Sequence, residues 1–101
     1  MGLLDFLFQV AVETAIRVAI VWLIKETVSY FLTKSGLRQL ILEKKNSGQF
    51  NSAVKAMIKN NNGHEVDFDL FDKSNVNLGS GKVSSNKGVS NDINSGDVIV
   101  L

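Results

Sequence analysis

The sequence predicts an α+β protein in which a long hydrophobic N-terminal helix and a basic connector helix precede a small antiparallel β-module of four or five short strands. Two observations predict this order. Residues 3–32 are mostly apolar and contain neither glycine nor proline, which favours one long helix. From residue 51 onward, apolar and polar residues alternate between clusters of Gly, Asn and Ser, as in short strands joined by tight turns. We therefore divide the chain into a hydrophobic helix at 1–34, a connector helix at 35–49 and a β-rich module at 50–101.

The hydrophobic segment has a narrow polar stripe. On a helix, Gln9, Glu13 and Arg17 fall on one side, and apolar residues cover most of the remaining surface. Glu13 and Arg17 are four residues apart, in the order that favours an ion pair along a helix. Polar side chains inside a bilayer face protein or water rather than lipid, so a spanning helix is expected to associate with further copies of itself through this stripe.

Three interpretations of the hydrophobic segment compete. A helix from Phe6 to Tyr30 is about 36 Å long, enough to cross the roughly 30 Å hydrocarbon core of a bilayer. The polar stripe interrupts the apolar run, however, and the apolar and polar contributions to insertion nearly cancel. Burial inside a soluble homo-oligomer therefore remains an alternative. A helix lying in the membrane interface is the third interpretation, although the polar face is thin and weakly basic for that role.

The connector is predicted to be an amphipathic helix. After a kink expected at Ser35–Gly36, the residues LRQLILEKKNSGQ continue as a helix, with Leu37, Leu40 and Ile41 as its apolar set and Leu42 as a further candidate. Gly48 marks the expected end of this helix.

Charge is unevenly distributed in a chain whose formal net charge is +1. Residues 35–60 carry five cations and one carboxylate, whereas the residues from 61 onward carry six carboxylates and three lysines. The basic residues predicted to lie at a membrane surface are Lys34, Arg38, Lys44 and Lys45. If the hydrophobic segment spans, the positive-inside rule places these residues and the β-module in the cytoplasm. The basic patch is short, lacks interleaved aromatic residues and precedes acidic sequence, so we expect no nucleic-acid binding.

A β-hairpin is predicted at the start of the β-module. Apolar and polar residues alternate over 54–59 and again over 65–70, and the sequence NNNG lies between the two segments. Asn62 and Gly63 are expected to supply the positive-φ positions of the turn. A short helix over residues 51–59 is the alternative that the pattern leaves open.

The remaining residues are predicted to form further short strands in a small open barrel or sandwich. The final residues, DVIVL, read as an apolar strand. A polar, Asn-rich tail is the alternative for residues 72–97. The predicted core residues of the module are Val66, Phe68, Leu70, Val83, Val89, Ile93, Ile99 and Leu101.

The residues that could carry chemistry are few. The chain contains no cysteine, which excludes a thiol nucleophile and cysteine-ligated metals. His64, the single histidine, lies at the predicted hairpin turn beside Glu65, where a solvated turn residue is expected rather than a catalytic base. Asp67, Asp69 and Asp72 could cluster around a hard cation, since alternate strand residues share a face, but the sequence from Asp72 has Asn77 where a calcium-binding loop has glycine. We therefore predict no catalytic, cofactor-binding or metal site.

These observations predict a small, non-enzymatic, membrane-anchored protein that self-assembles through its hydrophobic helix. Its β-module would serve a structural purpose or recruit a partner. The expected partners are further copies of the chain and the lipid bilayer, with no cofactor. The alternative is a soluble or filamentous homo-oligomeric structural protein in which the hydrophobic helix is buried inside the assembly.

Overall fold

The computed structural model describes residues 21–48 and 50–101, which form a mixed five-stranded sheet with one helix packed on it. In chain order the elements are β1 (Trp22–Val28), α1 (Lys34–Asn46), β2 (Ala53–Asn61), β3 (Glu65–Asp72), β4 (Asn77–Ser85) and β5 (Val98–Val100). The strand order is β1-β4-β3-β2-β5, with β1 parallel to β4 and the other neighbours antiparallel. β1 and β2 thus run in the same direction, so α1 is the crossover between them.

The predicted fold class is wrong in its first element. Residues Trp22–Val28 belong to the predicted long helix but form β1, and α1 is the only helix in the part of the chain that the structure describes. Ile24 and Val28 are buried, whereas Lys25 and Thr27 are exposed, which is the alternation of a strand. An apolar run without glycine or proline suits a buried strand as well as a helix, and the ladder that β1 forms with β4 decides between them. Since β1 is parallel, the sheet is mixed rather than antiparallel, and it is a single sheet rather than a barrel or sandwich.

The prediction of one continuous membrane-spanning helix from Phe6 to Tyr30 is wrong, because β1 lies in the second half of that segment. The earlier part of the predicted helix, including Gln9, Glu13 and Arg17, lies outside the described residues. Within residues 21–48 and 50–101, no helix combines the length and the apolar character that crossing a bilayer requires.

α1 confirms the predicted connector helix, although the helix begins where a kink was expected. Thr33 caps its N-terminus, and the Thr33 hydroxyl accepts a hydrogen bond from the backbone N–H of Gly36 at 3.1 Å. Of the predicted apolar set, α1 buries Leu37, Leu40 and Ile41, whereas the further candidate Leu42 is half-buried. After α1, Gly48 adopts a φ of +95°, a conformation that glycine accepts more readily than other residues as the chain leaves a helix.

The predicted hairpin is confirmed as β2 and β3, and the helical alternative for residues 51–59 is wrong. Gly63 has the expected positive φ, +90°, but Asn62 does not. Instead, the Asn62 side-chain oxygen accepts hydrogen bonds from the backbone N–H groups of His64 and Glu65 at 2.9 and 2.8 Å. The asparagine therefore stabilises the turn through its side chain rather than through its own backbone conformation.

One core lies between α1 and the face of the sheet that α1 covers. The predicted core residues are confirmed as buried, with Leu101 partly buried: Val66, Phe68, Leu70, Val83, Val89, Ile93 and Ile99. The earlier part of the chain contributes further buried residues: Ile24, Val28, Leu32, Leu37, Leu40, Ile41, Phe50, Ala53, Ala56 and Ile58. Ile24, Val28 and Leu32, which belong to the predicted hydrophobic helix, are therefore part of the module's own core.

Phe68 and Gly81 are in close contact in this core. They are opposite each other in the β3–β4 ladder, and the Phe68 side chain is fully buried. A Cβ atom at position 81 would lie 2.2 Å from Cζ of Phe68. The phenyl ring thus occupies the space above Gly81, and this position requires glycine because of close packing rather than because of its φ.

We expect the substitution Gly81→Ala to lower the free energy of unfolding by about 1–3 kcal/mol, because the added methyl overpacks the core. Urea denaturation of the native chain and the variant measures this difference. The substitution Phe68→Leu removes the clashing ring atoms, so the double variant should lose less stability than the sum of the two single variants. Additive losses would show that the two positions do not interact as described.

Candidate functional site: a groove beside the edge strand β5

A groove of about 500 Å³ lies between the first turns of α1 and the edge strand β5. α1, the loop after β4 and β5 contribute its lining residues: Thr33, Lys34, Ser35, Arg38, Asp92, Val98, Ile99 and Val100. One wall is thus the polar side of a capped helix, and the other wall is the outer edge of a strand.

The α1 wall carries two cations. Lys34 and Arg38 are one helical turn apart and share a side of α1, because Leu37 and Ile41 turn the apolar side towards the sheet. Lys34 Nζ lies 3.0 Å from Oδ2 of Asp97 and pairs with it. Arg38 Nε donates a hydrogen bond to the backbone oxygen of Val100 at 2.8 Å. Within the described ranges Arg38 thus contacts a strand carbonyl and no carboxylate.

The other wall depends on the loop between β4 and β5. Asn61, at the end of β2, donates its side-chain amide to the backbone oxygens of Ser90 and Ile93 at 3.0 and 2.8 Å. Ile93 is buried, and the backbone N–H of Gly96 donates to the oxygen of Ile58 at 2.8 Å. These contacts return the loop to β2, so that the final residues pair with it as β5.

The outer edge of β5 presents backbone groups to the groove. Ile99 is paired with Ala56, and the hydrogen bonds of Asp97 and Leu101 also run to β2. In an antiparallel ladder alternate residues direct their N–H and C=O groups to opposite sides. The N–H and C=O groups of Val98 and Val100 therefore point away from β2, and both valine side chains are exposed.

A smaller cavity of about 230 Å³ adjoins β5 on the sheet face opposite α1. Its lining residues are Lys55, Met57, Phe71, Asn75 and Val98. Val98 therefore borders both cavities. The Lys55 ammonium lies 5.9 Å from the centre of the Phe71 ring, leaving Met57, Phe71 and Val98 as the apolar surface of this cavity.

The rest of that open face is charged, and many of its charges are paired. Lys82 Nζ lies 3.4 Å from the Glu65 carboxylate, and Lys59 Nζ lies 3.7 Å from that of Asp69. Asp67, between the two carboxylates on β3, has a buried oxygen with no hydrogen-bond partner among the described residues. No group of three or more His, Asp or Glu residues within the described ranges is placed to hold a metal ion. Asp69 is thus engaged within the sheet rather than in a cation cluster.

The sequence-predicted basic residues separate into two places. Lys34 and Arg38 line the groove, whereas Lys44 forms an ion pair with Glu26 of the opposite edge strand, and Lys45 is half-buried. The predicted oligomer stripe of Gln9, Glu13 and Arg17 lies outside the described residues. Because three of the four basic residues have partners within the chain, they do not form one free cationic surface.

The edge of β5 and its Asn61 support were not among the predicted site residues. The sequence DVIVL does indicate a strand, but it does not indicate which of its sides pairs with β2 and which has no partner strand among the described residues. Asn61 lies in the NNNG sequence, where the expected role of asparagine was in the turn itself. Its long-range role depends on the position of Ser90 and Ile93, which no local pattern indicates.

We expect Asn61→Asp to destabilise the β4–β5 loop and β5, because a carboxylate would replace the amide donor that faces two carbonyl oxygens. The loss of a part-buried donor to two acceptors should cost about 1–3 kcal/mol of stability. Urea denaturation measures the global cost, and amide hydrogen exchange at Ile99 reports the local one. Asn62→Asp is the matched control, since the Asn62 side chain uses an oxygen acceptor that aspartate retains. Equal losses in both variants would contradict this role of Asn61.

Asp97 predicts a pH dependence of stability. The hydrogen bond from the backbone N–H of Asn94, and then the contact with Lys34, hold the pKa of Asp97 below its ordinary value of 3.8. The stabilisation is therefore present above that ordinary pKa and is lost as the pH falls through the lower pKa of the folded state. Asp97→Asn should be less stable than the native chain at neutral pH, and the difference should shrink towards about pH 2. The urea concentration at the unfolding midpoint, measured for both proteins at both pH values, tests this. A difference in midpoint between the two proteins that does not change with pH would contradict it.

Comparisons of the chain with protein-family models, with curated proteins and with solved structures found no match.

Proposed function

We propose that the chain is a non-enzymatic, partner-recruiting protein whose sheet module binds another protein at the β5 groove. The observation that carries this proposal is the outward-facing edge of β5 beside a groove of about 500 Å³. Exposed strand edges are ready templates for pairing with another chain, and proteins usually cover or charge them. Several peptide-binding domains use such an edge beside a helix as their binding site.

The chemistry of the groove supports binding rather than catalysis. His64 is exposed at the β2–β3 turn and is not among the lining residues. Lys34 and Asp97 pair with each other, and the Asp92 carboxylate accepts a hydrogen bond from the Ser90 hydroxyl at 2.5 Å. A nucleophile needs an adjacent base within hydrogen-bond distance, and the groove-lining hydroxyls of Thr33 and Ser35 bond to each other at 3.2 Å.

We further propose that hydrophobic residues 3–20 hold the module at a membrane. Their apolar composition supports this, and the basic residues that follow favour a cytoplasmic module. The polar stripe of Gln9, Glu13 and Arg17 supports self-association of the same segment. The alternative is that the chain is a soluble homo-oligomeric structural protein that buries this segment inside the assembly. Such an assembly would form without lipid.

We expect the full chain to float with lipid vesicles and to resist an alkaline carbonate wash, whereas a chain that begins at Val21 should do neither. The shorter chain retains all six described elements, so its loss of binding would come from the missing hydrophobic residues. Circular dichroism of the shorter chain checks that the sheet is formed. If the full chain forms a defined assembly in plain buffer and does not float with vesicles, the membrane-anchor proposal is wrong. The soluble homo-oligomer is then the supported alternative.

Recruitment itself is tested by site-specific photo-crosslinking of the full chain in cells. A crosslinking amino acid at Val98, in the groove, should repeatedly capture one protein. The same amino acid at Asn51, an exposed position outside the groove, is the control. Equal capture at the two positions, or capture at neither, would count against a partner-binding groove.

A further inference from the structure

We infer that the occupant of the groove is an extended segment of a partner protein that adds to β5 as a further strand and places a carboxylate against Arg38. This inference rests on the proposed function and names the kind of partner that the groove fits.

The hydrogen-bonding pattern of β5 suits an added strand. Val98 directs both its N–H and its C=O groups away from β2, and Val100 directs its N–H group the same way. The remaining outward group, the Val100 carbonyl, is the one that Arg38 contacts at 2.8 Å. β5 spans only Val98–Val100, so an added strand gains few backbone hydrogen bonds, and side chains must contribute to its affinity and specificity.

An apolar side chain of the added strand has a cavity beside it. Val98 lies on the open face of the sheet, next to Met57 in the β2–β5 register. Together with Phe71 these residues border the cavity of about 230 Å³. Side chains of neighbouring strands that point to the same face contact each other. A residue added next to Val98 therefore extends this apolar surface, and an aliphatic or aromatic side chain fits it best.

Arg38 selects the charge of the segment. Lys34 is already neutralised by Asp97, and Asp92 is bonded to the Ser90 hydroxyl, whereas Arg38 contacts only the Val100 carbonyl among the described residues. A backbone N–H of the added strand can take over that carbonyl. The guanidinium is then free to bind a carboxylate through two parallel hydrogen bonds, which are stronger and more directional than its bond to the carbonyl.

The test begins with peptides selected on the full chain from a displayed library of short random sequences. We expect the selected peptides to alternate apolar and polar residues and to contain Asp or Glu. The affinity of a selected, fluorescently labelled peptide is then measured by anisotropy for the native chain and for its variants. Amide hydrogen exchange at Val98 and Val100 should slow when the peptide is bound.

Val98→Pro is the discriminating variant. Proline removes the outward N–H, while the ladder to β2 uses the groups of Asp97, Ile99 and Leu101 and stays intact. We expect at least a tenfold loss of affinity, equivalent to about 1.4 kcal/mol. Val98→Thr keeps the N–H and the side-chain shape, so it is the matched control and should bind nearly as well as the native chain. If Val98→Pro fails to fold, the exchange measurement on the native chain decides the question.

Arg38→Gln tests the carboxylate. The affinity for the acidic peptide should fall about tenfold, whereas the affinity of the same peptide with Gln in place of Glu should be equal for the two proteins. Equal losses for both peptides would overturn the carboxylate contact.

The remaining outcomes separate this inference from the proposed function. If the selected peptides bind the native chain and Val98→Pro equally well and do not slow amide hydrogen exchange at Val98, strand addition to β5 is overturned. The chain would then still be a binding protein, with its site elsewhere. Failure to select any peptide would count against both proposals. Light scattering tests whether the full chain forms an oligomer that Val98→Pro converts to a monomer. That result would mean that the β5 edge binds a second copy of the chain, and it would overturn the inference of a different partner protein.

Discussion

The parallel pairing of β1 with β4 is the constraint on which the rest of the structure depends. Its ladder runs from Trp22 opposite Ser80 to Val28 opposite Ser85. Leu32 continues the pairing beyond β1 by a bridge to Val89. Because β1 and β2 run in the same direction, they cannot be joined by a tight turn and need a crossover connection, which is α1. The crossover covers one face of the sheet, and no other helix or strand in residues 21–48 and 50–101 covers the opposite face.

The groove is a consequence of the same crossover. Lys44, near the end of α1, pairs with Glu26 of β1, while Arg38 contacts Val100 of β5. α1 thus connects both edges of the sheet, and its buried residues hold it in that orientation. The wall of the candidate binding site is therefore fixed by the core, so a substitution that shifts α1 affects stability and binding together. A site on a packed helix and strand is better ordered than one formed by loops alone.

Local patterns made part of this fold predictable. The β2–β3 hairpin follows from period-two alternation around NNNG, and α1 follows from the spacing of Leu37, Leu40 and Ile41. Trp22–Val28 resisted prediction because it continues a long, mostly apolar sequence without glycine or proline, which suits either a helix or a strand, and its ladder partner lies far along the chain. The groove resisted prediction for a similar reason. Its cations Lys34 and Arg38 were identified as basic residues, but their neighbours Asp97 and Val100 reach them only through the fold.

The position of β1 also affects the order of events during synthesis. β1 ends at Val28, but its ladder partner β4 ends only at Ser85. At a typical rate of about 5–20 residues per second, several seconds separate the emergence of the two strands. During that interval β1 has no ladder partner, and its sequence continues the hydrophobic sequence before it on the nascent chain. This segment is exposed before β4 is complete, so completion of the sheet competes kinetically with its capture by other proteins.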